Sequence, residues 1–238
     1  MNLESIYQKL QIQDMNQMQK STYTATENEN DVILLSPTGS GKTLAFLFPV
    51  LRNLRSDVSG IQAMILVPAR ELALQIEQVF KAMGTDFKIS ICYGGHDKKI
   101  EINNFREAPA LLIGTPGRIA YHLRNNNFDP STIKTLVLDE FDKALELGFE
   151  EDMNFIIEEL ENCSQRILTS ATAMDKIPDF VGLKNEKTIN FLKIHDSKPN
   201  IQLKKVITTS EEKLDTLFHL ICKIGNKRTL IFCNHRDA

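Results

Sequence analysis

An α/β fold, a mostly parallel sheet with helices on both faces, is what this 238-residue sequence predicts. Three observations carry that expectation. Short apolar or β-branched runs recur along the chain. Segments with helical apolar spacing separate them. The runs mostly do not alternate between apolar and polar residues, as befits strands buried on both faces. Strand, helix, strand in repetition is the pattern of a doubly wound sheet.

The runs, in order, are Val32–Leu35, Ala63–Val67, Ile89–Cys92, Ala110–Ile113, Thr135–Leu138, Arg166–Thr169 and Thr188–Phe191. Ahead of the first, the polar stretch Thr24–Asn30 marks a loop or a helix end. Arg70–Met83 places Leu72, Leu74, Ile76, Val79 and Phe80 largely on one side of a helix. Phe149–Leu160 does the same with Met153, Ile156, Ile157 and Leu160. A composition change falls near His195–Asn200. Beyond it, Ile201–Ile207 alternates, Glu212–Lys223 has helical spacing, and Thr229–Cys233 is a further strand-like run. Residues 1–195 therefore form one domain, and 196–238 the incomplete start of a second α/β unit, too short to close a core of its own.

Composition bounds the function classes. An apolar share of 42% suits a packed core. No apolar run approaches the roughly 18 residues of a membrane span, and the opening MNLESIYQKLQIQDMN lacks the basic-then-apolar order of a secretory signal. The four cysteines, Cys92, Cys163, Cys222 and Cys233, and the five histidines are dispersed without metal-ligand or disulfide spacing. Reduced cysteines in a cytoplasmic protein are the expectation. Net charge is −3, so no global field attracts nucleic acid. The last 43 residues carry 8 basic and 5 acidic side chains, leaving 20 and 26 in the first 195. A nucleic-acid site on the first part must be local.

In doubly wound sheets ligands bind at the carboxyl ends of the strands, so the residues after each run are where chemistry is to be sought. After the first run comes Ser36-Pro37-Thr38-Gly39-Ser40-Gly41-Lys42-Thr43, leading into an apolar helix start. Glycines let successive N–H groups turn inward on phosphate oxygens, and the new helix adds its positive end. Lys42 then reaches the β/γ-phosphates of a nucleotide and the Thr43 hydroxyl can hold Mg²⁺. Ser36 stands where the general phosphate-loop pattern has its first glycine. The fifth run ends in Asp139-Glu140-Phe141-Asp142. A carboxylate at a strand tip beside a phosphate loop can hold Mg²⁺, and a second can orient or deprotonate an attacking water. The alternative for these acids is a helix N-terminal cap.

Six blocks in order make the chain resemble the DEAD-box family of RNA-dependent ATPases: SPTGSGKT from Ser36, PAREL from Pro68, Gly94-Gly95, Thr115-Pro116-Gly117-Arg118, DEFD from Asp139, and Ser170-Ala171-Thr172. Gln19, 23 residues before Lys42, matches the family's upstream glutamine. The resemblance covers residues 10–195 and implies a RecA-like ATP-binding lobe of an ATP-dependent RNA helicase. It also implies roles. Gln19 would select adenine, with Thr38 to Thr43 around the phosphates of ATP. Lys42, Asp139 and Glu140 would be catalytic, and Thr43 with Asp139 would hold Mg²⁺. Pro68, Ala69, Arg70, Gly94, Gly95, Thr115, Pro116, Gly117 and Arg118 would grip the RNA backbone, a mode that reads little base sequence. Asp142, Ser170 and Thr172 would couple the ATP and RNA sites.

The sequence departs from the family at named positions. Phe141 replaces an alanine, which sets a bulky ring beside the metal and water positions; Ala69 replaces a threonine; Met15-Asn16 replaces Pro-Thr. The family's adenine-stacking aromatic falls on Asn2, with Tyr7 the nearest aromatic substitute. Thr229–Asn234 resembles the first strand of the family's second lobe, whose arginines lie beyond it. An arginine finger is worth about 10³–10⁵ in rate, so this chain is expected to bind ATP while lacking full activity. A non-catalytic ATP- or RNA-binding module, and a DNA-directed helicase of the same superfamily, remain open alternatives. Phosphate contacts do not distinguish the sugars; only RNA offers the 2′-hydroxyl.

Overall fold

The computed structural model describes residues 3–174, 176–192, 202 and 204–233. The chain divides into two compact units, Met1–Asp196 and Ser197–Ala238. In the first, the elements run α1 (Leu3–Leu10), α2 (Gln17–Asn28), β1 (Asp31–Leu35), α3 (Lys42–Asn53), β2 (Ala63–Leu66), α4 (Arg70–Ala82), β3 (Ile89–Cys92), α5 (Lys98–Phe105), β4 (Leu111–Gly114), α6 (Pro116–Arg124), β5 (Thr135–Leu138), α7 (Phe141–Glu146), α8 (Glu150–Glu159), β6 (Gln165–Ser170) and β7 (Lys187–Asn190). Each of the seven apolar runs is a strand. The polar stretch 24–30 is the end of α2 and the step into β1.

The seven strands form one sheet in the order β3-β4-β2-β5-β6-β1-β7, and every pairing is parallel. Successive side chains of a strand point to opposite faces, so a sheet covered on both sides needs both sets apolar. Leu66, Leu112, Leu136, Leu138 and Leu168 lie on one face, packed with Ile119 and Leu123 of α6, Phe141 and Ala144 of α7, and Met153 and Ile156 of α8. Ile65, Ile113, Val137 and Ile167 lie on the other, packed with Ile6 of α1, Phe46, Phe48 and Val50 of α3, and Ile76 and Phe80 of α4. That two-sided burial is the reason the runs do not alternate.

Register brings the strand ends level. Cys92 pairs with Gly114, Gly114 with Leu66, and Leu66 with Leu138. Leu138 pairs with Leu168, so β6 continues two residues past β5, and Ser170 pairs with Leu35 of β1. Every functional block follows one of these ends.

Phe141 lies inside the core, 0% exposed, its ring 6.4 Å from that of Phe180. The expected placement of a bulky ring beside the metal and water positions is corrected: as the first residue of α7, Phe141 turns under the sheet, where an apolar ring is best buried.

The second unit is described at residue 202 and over 204–233. It contains α9 (Lys213–Ile224), on which Leu214, Leu217, Phe218 and Ile221 share one side. Neither flanking run is a strand among the described residues. Strand geometry needs a partner for its N–H and C=O groups, and two short segments do not supply a stable ladder. Ile201, Leu203 and Asn234 lie outside the described residues, as does Asn2. Among the described residues no helix is long and apolar enough to cross a membrane.

Replacing Phe141 by the family's alanine is expected to destabilise the chain by about 3–5 kcal/mol through the cavity it leaves, read as a lowered urea midpoint at unchanged slope.

Candidate functional site

The phosphate loop leaves β1 at Ser36, which is fully buried. Its N–H donates to Ser170 O on β6 at 3.0 Å, and its hydroxyl donates to Ser40 Oγ at 2.7 Å. Ser40 Oγ donates to Pro37 O at 2.8 Å. A hydroxyl in place of the pattern's first glycine thus braces the loop from inside. Gly41 caps α3 with φ +93°, a left-handed conformation. A Cβ at Gly41 would lie 2.7 Å from Gln19 Nε2, so a side chain there would displace the Gln19 amide as well as strain the backbone. Lys42 is buried, and its ammonium donates to Ser36 O at 2.7 Å and Pro37 O at 3.2 Å. Burial lowers the Lys42 pKa, against the opposing pull of Asp139, Glu140 and Asp142. Thr43 follows as the second residue of α3.

Gln19 sits against this loop. Its Nε2 donates to Gly41 O at 3.2 Å, and its Oε1 accepts the Asn16 N–H at 2.8 Å. Asn16 closes the reciprocal cap by accepting the Gln19 N–H at 2.9 Å, and its own amide donates to Ser40 O at 3.1 Å. Asn16, the departure from Pro-Thr, therefore ties α2 to the loop. A carboxamide has two donors and two acceptor lone pairs. One of each remains on Gln19, the complement of the adenine edge. Tyr7 packs edge-on against Phe48, ring centroids 5.8 Å apart.

Asp139 lies one residue past β5 and is buried. Burial pushes its carboxyl up to about 6, with Glu140 adding to the rise, while the Thr169 hydrogen bond and Lys42 pull it back. Register sets Thr169 of β6 level with it. Thr169 Oγ1 donates to Asp139 Oδ1 and accepts the Glu140 N–H at 3.2 Å. Glu140 has φ +48° and ψ +50°, a left-handed backbone that costs a non-glycine residue energy. One buried hydroxyl ties the Asp139 carboxylate to the Glu140 backbone. Asp142 Oδ2 accepts the Thr172 hydroxyl at 2.7 Å, and Ser170 Oγ donates to Thr172 O at 2.6 Å. The three residues assigned to coupling are thus brought together.

The other half of the sheet edge carries the remaining blocks. Pro68 and Ala69 follow β2, and Ala69 caps α4 with no side-chain hydrogen bond. Thr115 caps α6 in the same uncapped way, with Pro116 first in the helix. At α6, Pro116 has no N–H and the Arg118 N–H donates to Thr115 O at 3.0 Å, which leaves the Gly117 N–H; helix starts of this kind are suited to anions. Gly94 and Gly95 lie in the β3–α5 turn with open space where side chains would be. Arg70, Gly94, Gly95, Thr115, Gly117 and Arg118 line one pocket together with Lys98, Tyr121 and Phe149.

Arg118 is placed differently from an exposed clamp. It is 9% exposed. Its Nε donates to Tyr93 O at 3.0 Å, its Nη2 donates to His96 O, and it pairs with Glu101 at 3.2 Å. A buried guanidinium requires a carboxylate, and Glu101 supplies it. Arg118 therefore binds the glycine turn to α6. Glu101 also meets His122 at 2.7 Å and His96 at 3.1 Å. Cys92, Glu101 and His122 offer ligand atoms within 4.8 Å of one another. The carboxylate is already shared with Arg118 and burial raises the Cys92 thiol, so the cluster is an internal ion-pair network.

Sequence reasoning assigned no role to Thr169, Asn16 or Glu101. A hydroxyl directly before Ser170-Ala171-Thr172 was the available signal for Thr169. The cap pattern Asn16-x-x-Gln19 was the signal for Asn16. Nothing local marked Glu101.

The family model for DEAD/DEAH box helicases matches residues 16–180. ATP-dependent RNA helicase CshA of Limosilactobacillus reuteri is 38% identical over 162 residues, 67% of this chain and 33% of that protein. ATP-dependent RNA helicase DBP4 of Yarrowia lipolytica is 37% identical over 226 residues, 90% of this chain and 30% of that protein. The chain thus spans about a third of the length of these relatives. Among solved structures, a hypothetical ATP-dependent RNA helicase from Sulfolobus tokodaii is similar with a TM-score of 0.69 at 28% identity, over 80% of this chain and 57% of that one. The yeast DEAD-box splicing factor Prp28 gives 0.68 at 30% identity, over 73% and 44%.

Two outcomes follow from the acid pair. Thr169→Val is expected to cost about 1–3 kcal/mol by stranding two buried polar groups, with Thr169→Ser retaining most of it in denaturation. Asp139 is held above its ordinary value of 3.8, so its contribution to stability is present below pH 4 and lost as pH rises through 6. Asp139→Asn, neutral throughout, should match the parent near pH 4 and exceed it at pH 8 by on the order of 3 kcal/mol in metal-free buffer.

Proposed function

This chain belongs to the DEAD/DEAH box helicase family, and from that footing we propose that the protein of which it is a part is an ATP-dependent RNA helicase. The observation that supports this most is the meeting of three strand ends: the Lys42 loop after β1, Asp139-Glu140 after β5, and Thr169-Ser170 at the end of β6. The relatives' names, ATP-dependent RNA helicases, favour the same reading.

Mg²⁺ fits the residues present. Asp139 is a buried carboxylate whose charge is disfavoured where it stands, next to an ammonium disfavoured for the same reason. Both are the marks of a site arranged for further charges of opposite sign. Thr43 and Asp139 would hold the ion, which when bound neutralises charge on the β- and γ-phosphates. The chain's own groups do the rest. Lys42 exchanges its two loop carbonyls for phosphate oxygens. Inward N–H groups of residues 38–43 hold the phosphate chain. Glu140, its backbone held by Thr169, orients the attacking water and accepts its proton. Gln19 offers its spare donor and acceptor to adenine. Asp142, Thr172 and Ser170 link the metal-side acid strand to β6, which is the route by which a change at the phosphates is passed on.

RNA would lie over the other half of the edge, its phosphates on the starts of α4 and α6 and on the Gly94-Gly95 turn, with Arg70 exposed above. Such contacts read little sequence. Arg118 is a positioning residue in this scheme. The scattered cysteines support a reducing compartment, taken as the cytoplasm.

The test is a Mg²⁺-dependent titration of the chain with ATP and with GTP. ATP is expected to bind more tightly, and Gln19→Ala to remove the preference while leaving phosphate binding. Equal affinity for both nucleotides would overturn the adenine assignment, and no Mg²⁺-dependent binding of either would overturn the ATPase reading.

A further inference from the structure

Most contacts offered along the Gly94-Gly95 and Thr115 face are to phosphate, yet the pocket there also holds two aromatic rings. Tyr121 and Phe149 line it beside Gly94, Gly95 and Thr115. Both are half-buried, so each has an apolar body anchored in protein and a part open to the pocket. Tyr121 lies on α6 one turn past Arg118. A rise of about 1.5 Å per residue sets its Cα roughly 7 Å along from the helix start, and its side chain leans back toward that start. Lys98 is exposed and its ammonium sits 3.8 Å from the Tyr121 ring centroid.

We infer that Tyr121 is a stacking platform for an unpaired base, with Lys98 as the exchangeable cation that covers the ring when no strand is present. The inference rests on the nucleic-acid reading of this face and adds a base contact to it. Magnitudes favour the exchange. An exposed cation–π contact is worth about two- to fivefold, whereas a base on an aromatic ring contributes roughly five- to a hundredfold. Displaced Lys98 is not left idle, since its flexible stem can turn the ammonium to the adjoining phosphate. Phe149 lines the same pocket and needs no hydrogen-bonding partner. Every base has a π-face, so the platform binds single strands without selecting a sequence. It favours unpaired over duplex nucleic acid, because a stacked base is not free to leave its helix.

The experiment compares two probes on the 238-residue chain at low salt: a ten-nucleotide oligouridylate and a ribose-phosphate decamer of the same length without bases. The parent is expected to bind the base-bearing probe more tightly. Tyr121→Leu should weaken oligouridylate about five- to a hundredfold and leave the abasic probe unchanged, while Tyr121→Phe should behave as the parent. Should Tyr121→Leu fold poorly, the unaltered chain answers the question: photocrosslinking to a 5-iodouridine oligomer is expected to place the adduct on Tyr121. Equal parental affinity for the two probes, equal loss on both in Tyr121→Leu, or an adduct confined to residues outside this pocket would overturn the platform while leaving the backbone grip standing. No binding of either probe would overturn the nucleic-acid reading itself, and the platform with it.

Discussion

The hydrogen bond from Thr169 to Asp139 is the interaction on which the rest of the site depends. It exists because β6 lies between β1 and β5 and runs two residues past the end of β5. A phosphate loop and an acid pair on strands that are not neighbours need something between them to set their spacing. Thr169 does so on one side, through Asp139 and the Glu140 N–H. Ser170 does so on the other, through the Ser36 N–H. The left-handed backbone of Glu140 turns its N–H onto that hydroxyl. Taking Asp139 out of water is costly in itself, and the Thr169 hydrogen bond offsets part of that cost.

The order of the strands then sets two triplets side by side, with β7 outside them beyond β1. β5, β6 and β1 end at the nucleotide groups; β3, β4 and β2 end at the glycine turn and the two uncapped helix starts. With neighbouring strands about 4.8 Å apart, the centres of the two triplets are roughly 14 Å apart along the sheet. The β2–β5 pairing is the seam. Backbone hydrogen bonds between β2 and β5 join the two triplets into one layer. The second triplet is held by a different device. Glu101, fully buried, gathers Arg118, His122, His96 and the Tyr93 N–H, so the glycine turn is braced from beneath rather than free to wander. Free space above Gly94 and Gly95 and a braced underside are what a backbone-to-backbone contact requires.

Much of this was legible before any coordinates. The seven runs named the seven strands because burial on both faces leaves a composition that survives without context. Lys42, Thr43, Asp139 and Glu140 could be picked out as candidates because strand ends of a parallel sheet are where ligands bind, and all four follow such ends. Gln19 came from resemblance, and the structure adds why it sits where it does: it is half of an N-cap pair with Asn16. Other residues were misleading when read alone. Phe141 stands within an acid motif and is a core residue. Arg118, expected to grip an RNA backbone, is a buried strut. The runs around Ile201–Ile207 and Thr229–Cys233 have strand composition, but composition does not supply a partner.

The sequence by itself determined the periodicities, and with them the fold class, the order of the elements and the identity of the blocks at the strand ends. These depend on residues near one another along the chain. The tertiary structure alone decided which strand lies between which, how far each extends past its neighbour, and which way a side chain turns at a helix start. Those choices set the Thr169–Asp139 bond, the Glu101 network and the pairing of Lys98 with Tyr121. Each joins residues from separate elements, and local sequence carries no record of the register that brings them together.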